Sequence, residues 1–185
     1  MMKTEYDRIY ELASMVSSDT SSYEEEAAVS PLLSESQMLE LASSRFDQVR
    51  LLLASRPDLT TDVIRAIVGN ESELEIVSLA LRCYDGTELF SELAKNPDPR
   101  IRRLAAAKEK TPDSVLLDLA NDNYKMVRQA LACREDLSLP IQQKLARDPS
   151  SDIRIELAKN DELLFSAYEI LKDDIDPVVR ETATS

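Results

Sequence analysis

Counted in steps of 26 residues, the chain lines up with itself from near its start to its end. Ala54, Ala80, Ala106, Ala132 and Ala158 fall on one row, and Leu41, Ile67, Leu93, Leu119, Leu145 and Leu171 on another. A period of this size, held over most of a chain, marks supersecondary units that bury their apolar faces on one another. Within the units a β-branched residue precedes an arginine, as in Val49-Arg50, Ile101-Arg102, Val127-Arg128, Ile153-Arg154 and Val179-Arg180. The alanine row follows four residues later, preceded by Leu53, Leu79, Ala105, Leu131 and Leu157, which sets apolar positions at i, i+4 and i+5 on one helix face. Turns rich in Pro, Asp, Ser and Thr come next, such as Pro57-Asp58-Leu59-Thr60 and Thr111-Pro112-Asp113, and these stop one helix and cap another. A second helix then runs through the leucine row to Asn70, Asn96, Asp122, Asp148 and Asp174. Helices of two or three turns do not stand alone, so each pair needs its neighbours.

One recurrence carries charge. Asn96 precedes Arg102 by six residues, as Asp122 precedes Arg128, Asp148 precedes Arg154 and Asp174 precedes Arg180. A carboxylate at the end of one helix and a guanidinium early in the next predict a ladder of charge-assisted hydrogen bonds within each such pair. Recurrence in every unit makes these residues structural, since a catalytic pair has no need to repeat. The pattern breaks in the third unit, where Ile76 takes the arginine position and Cys83-Tyr84-Asp85-Gly86 replaces the proline turn. A local irregularity is expected there. Residues 2–16 read as an amphipathic capping helix with Tyr6, Ile9, Tyr10, Ala13 and Val16 on one face, and a polar connector follows. The expected domains are an N-terminal cap over 1–22 and a repeat region over 23–185.

Asp148-Pro149-Ser150-Ser151-Asp152-Ile153-Arg154 and Asn96-Pro97-Asp98-Pro99-Arg100-Ile101-Arg102 resemble the turn of HEAT-like repeats. The fuller pattern, from Asp122 to Ala132 and on to Leu145-Ala146-Arg147-Asp148, is similar to the leucine-rich repeat variant family, over residues 23–183. The resemblance implies an all-α chain, a right-handed α-solenoid of about six helix pairs, in which the second helix of a pair is either α or 3₁₀. Such repeats serve many partners, and the resemblance therefore implies a binding role without naming what is bound. The iron–sulfur segment attached to some members has no counterpart here, with only Cys83 and Cys133 in the chain.

Composition narrows the function from the other side. The chain carries 35 Asp and Glu against 22 Lys and Arg, a net charge of -13, which disfavours a nucleic-acid surface. Residues 1–30 hold seven acids and two bases, and residues 161–185 the same, so the two ends are acidic around a nearly balanced middle. With no histidine, the commonest general base and metal ligand is lacking, and no cofactor or metal site is expected. The basic concave face and aromatic pocket of the HEAT-like alkylpurine DNA glycosylases are not matched, and the chain reads as a non-enzyme. Cys83 and Cys133 are expected as buried or inert thiols. The charged start Met1-Met2-Lys3-Thr4-Glu5-Tyr6-Asp7-Arg8 is unlike a signal peptide, no apolar run spans a membrane, and a cytoplasmic location is expected.

Two surfaces are candidates for binding another protein. Arg56, Arg82, Lys108 and Arg134 fall on one 26-residue row at the ends of first helices, where they form a basic edge or else serve the helix dipole and its free carbonyls. Arg65, Glu92, Asp118, Lys144 and Arg147 lie on second helices, expected to line the concave face. The reading is an interaction module, monomeric or weakly self-associating through its C-terminal edge. The alternative is a structural unit that stacks end to end.

Overall fold

The computed structural model describes residues 21–70, 73–82, 84 and 86–185. The chain divides into two compact units, Met1–Asp85 and Gly86–Ser185. In the first lie α1 (Ser21–Ala28), α2 (Glu35–Leu41), α3 (Asp47–Ala54), α4 (Thr61–Asn70) and α5 (Leu74–Ala80). The second holds α6 (Glu88–Leu93), α7 (Pro99–Ala107), α8 (Asp113–Leu119), α9 (Lys125–Ala132), α10 (Leu139–Leu145), α11 (Ser151–Ala158), α12 (Phe165–Leu171) and α13 (Pro177–Thr184). The described residues are thus all-helical, without a strand, and the second helix of each pair is α and not 3₁₀.

Each unit is built in two layers. In the first, α3 lies between α1 and α5 while α2 packs on α4. In the second, α7, α9, α11 and α13 stack in order, and α8, α10 and α12 form the other layer. The alanine and leucine rows explain the layering. Ala54, Ala80, Ala106, Ala132 and Ala158 are buried, as are Leu41, Ile67, Leu93, Leu119, Leu145 and Leu171. A methyl group on one row lets adjacent first helices approach closely, and the longer leucines fill the space between layers. The β-branched row is buried too, with Val49, Val127, Ile153 and Val179 fully inside.

Helix starts follow the turn chemistry. Asp98 and Asp176 cap α7 and α13 by accepting from the Arg100 and Val178 amides at 2.8 and 2.9 Å, with Pro99 and Pro177 in the first turn. Ser34 and Gln37 form a capping box on α2.

The capping helix expected over 2–16 lies outside the described residues, and so do Cys83 and Asp85 of the irregular turn. The connector expected to reach residue 22 is shorter at its end, because Ser21 and Ser22 already belong to α1. The division between the units falls at Asp85 and Gly86, in the pair that carries Ile76. No described helix is long and apolar enough to cross a membrane.

Candidate functional site

The charged ladder exists, but its rungs connect different residues from those the six-residue spacing predicts. Arg128 donates Nη1 to the main-chain carbonyl of Asp122 at 2.7 Å, not to its carboxylate. Its Nε and Nη2 fork takes the carboxylate of Asp148, twenty residues later, at 2.6 and 3.2 Å. Arg102 repeats this with the Asn96 carbonyl and the Asp122 carboxylate, and Arg154 with the Asp148 carbonyl and the Asp174 carboxylate. The predicted ion pairs Asp122–Arg128, Asp148–Arg154 and Asp174–Arg180 are therefore corrected to Arg102–Asp122, Arg128–Asp148 and Arg154–Asp174.

The reason is local. One oxygen of each aspartate accepts an amide two residues on, from Tyr124, Ser150 and Asp176, each at 2.8 Å. That turn holds the carboxylate away from the next helix, leaving the main-chain oxygen for the arginine that begins it. Asn96 makes the same turn with the Asp98 amide. The pairs are shielded, with Asp122, Asp148 and Asp174 only 7%, 3% and 7% exposed at the side chain. Burial alone would raise the Asp122 pKa, but hydrogen bonds from Arg102 and the Tyr124 amide outweigh it and hold the carboxyl below its ordinary range. The Arg154 hydrogen bonds do the same for Asp174, and the partner arginines are pushed up in turn.

The basic row is not one edge. Arg56 donates Nη1 to the carbonyls of Ala28 and Ser30, at the end of α1, and clasps Asp58 with Nε and Nη2. Arg134 does likewise at the end of α7, on Ala106, Lys108 and Glu109, and clasps Asp136. Their side chains are 9% and 6% exposed, so both guanidiniums are committed to the protein itself. The helix capped belongs to the preceding pair, not to the arginine's own. Arg82 is exposed and Lys108 half-buried. The row continues at Asn160, whose Nδ2 reaches the Arg134 carbonyl at 2.7 Å.

On second helices, Arg65, Glu92, Asp118, Lys144 and Arg147 are all exposed, with Arg65 paired to Asp62 in its own helix. Glu92, Asp118 and Lys144 each stand beside the buried Leu93, Leu119 and Leu145. Leu117 and Leu139 add apolar surface to α8 and α10.

Two buried polar residues went unread in the sequence. Gln142, fully enclosed, donates Nε2 to the carbonyls of Leu137 and Glu162 and accepts the Leu164 amide through Oε1. Thr111 gives its hydroxyl to the Ala105 carbonyl at 2.6 Å. Only a polar residue on the apolar side of a second helix could have flagged Gln142. Cys133 is exposed, contrary to a buried thiol, though partial burial and the Glu156 carboxylate raise its pKa and keep it protonated. Among the described residues no group of His, Cys, Asp and Glu is arranged to hold a metal ion.

Comparison with family models, with curated proteins and with solved structures finds no match to this chain.

Proposed function

We propose that the chain is a right-handed α-solenoid of 26-residue helix pairs, of the HEAT-like or leucine-rich repeat variant kind, and that it works as a non-catalytic module binding another protein. Two-layered stacking, burial of both apolar rows and a ladder from pair to pair support the solenoid reading. The observation that carries the binding reading is the row Glu92, Asp118 and Lys144, exposed on three successive second helices while their neighbours are locked into the core. Such a surface is rigid, evenly spaced and of mixed charge, which favours a polar partner held in one register. The basic edge takes second place, since Arg56 and Arg134 spend their hydrogen bonds on helix ends.

The test compares two variants in affinity capture from the native cell. Glu92→Lys with Asp118→Lys and Lys144→Glu should lose the specific partner at an unchanged melting temperature, and Arg82→Glu should retain it. The opposite result would move the binding surface to the edge. Capture unaltered by either change would end the reading. Capture should also weaken as salt rises, because exposed charges are screened beyond a Debye length of about 10 Å at 0.1 M.

A further inference from the structure

The last pair of helices repeats both inter-pair devices and completes neither. Arg180 donates Nη1 to the carbonyls of Asp174 and Ile175 at 2.5 and 3.1 Å, copying the main-chain half of the ladder. No carboxylate among the described residues reaches its fork, which Asp122, Asp148 and Asp174 fill on Arg102, Arg128 and Arg154. The helix-end cap is open on the same side. Arg56 and Arg134 each bind the carbonyls 28 and 26 residues before them, and the next equivalent carbonyls are those of Ala158 and Asn160. Asn160 accepts the Leu163 amide, as Lys108 accepts that of Thr111 beside Arg134, and no described group donates to Ala158. A cleft of about 490 Å³ lies there, lined by Ala158, Asn160, Asp161, Phe165, Thr182 and Ser185 among others. Around it Phe165, Ile175 and Val178 are exposed.

We propose that this end of the molecule docks a helix hairpin from a partner chain that presents an arginine and, 14 residues later, an aspartate. This deepens, and rests on, the repeat reading above. The arginine caps Ala158 and Asn160, the aspartate takes Nε and Nη2 of Arg180, and apolar residues of the hairpin cover Val178 and Ile175. Charge complementarity sets the occupant: the fork needs an anion and the helix end a cation, at the spacing Arg134 and Asp148 show inside this chain. A second copy stacked head to tail fits poorly. At its start the same two positions hold Ser30 and Ser44, and one pair earlier Thr4 and Ser18.

The probe is a copy of residues 125–150, which carries Arg134 and Asp148, tethered after Ser185 of the full chain by a flexible linker. Tethering supplies an effective concentration in the millimolar range. The copy is expected to acquire amide protection and to raise the melting temperature. Arg180→Ala, and Asp148→Asn within the copy alone, should each cut that protection about tenfold or more. Arg180→Lys, which keeps the charge without the fork, should recover it only in part. A tethered copy that stays unprotected, or protection indifferent to Arg180→Ala, overturns the proposal. Concentration-dependent dimers of the untethered chain that Arg180→Ala dissolves would name a second copy as the occupant and overturn it too. Arg128→Ala in the chain proper separates the two readings, because it must destabilise the second unit if the repeat reading holds, whatever happens at the end.

Discussion

Asp148 serves three neighbours at once. It closes its own turn on the Ser150 amide, accepts the Arg128 fork, and lends its main-chain oxygen to Arg154. Removing one member of so shielded a pair strands the other, so Arg128→Ala should cost about 3 kcal/mol in urea unfolding. A double-mutant cycle tells the two geometries apart. Arg128→Ala and Asp148→Asn should couple by about 1.5 kcal/mol or more, while Arg128→Ala and Asp122→Asn should be close to additive, since Arg128 touches only the main chain of Asp122. The pH response follows from the same pairs. Because the Asp122 and Asp174 carboxyls lie below their unfolded value of about 3.9, their contribution is complete above that pH and is lost as pH falls through the lower folded values. Denaturation midpoints should therefore be flat from neutrality to about pH 5 and drop below pH 4, less steeply in Asp122→Asn. The sequence held the signal that the six-residue spacing hides. Counted twenty residues ahead, Arg102, Arg128 and Arg154 meet Asp122, Asp148 and Asp174, and Ile76, without a charge, meets the neutral Asn96. A spacing alone does not say whether side chain or main chain answers the arginine, and that is where the prediction went astray.

At the scale of a helix, the periodic residues were legible and the aperiodic ones were not. The rows of Ala, Leu and β-branched residues fixed the helices and their buried faces because burial acts on every pair alike. Gln142 has no such row, and its role depends on where the Leu137, Glu162 and Leu164 main chains arrive. It ties α10 to the start of α12, so Gln142→Leu leaves an amide and two carbonyls without this partner inside the protein. The expected loss is about 1–3 kcal/mol in thermal or urea melts, with faster exchange of the Leu164 amide as the local sign. A fully retained stability would show that the α10–α12 contact is held by its leucines alone. The basic row was legible as a row but ambiguous in purpose. That Arg56 and Arg134 reach back to the helix of the preceding pair depends on how closely first helices pack, which no spacing in one sequence states.

For the molecule as a whole, the point to draw from the ladder is that every internal pair in the second unit is both a plug and a socket. Its arginine holds the aspartate ahead and its aspartate holds the arginine behind, and each contact joins adjacent pairs only. Excising residues 123–148 would set Asp122 directly before Pro149, six residues ahead of Arg154 as it now stands ahead of Arg128. Arg102 would keep Asp122, Arg154 would keep Asp174, and one rung would vanish without a broken end. The shortened chain should fold with unchanged helicity per residue by circular dichroism. Removing only residues 136–148 should not, because it shifts every later residue out of register by half a step. The length of this chain is thus quantised: it can be lengthened or trimmed by whole 26-residue steps, as slippage between its own repeated codons would do, while insertions of any other size leave a charge stranded inside.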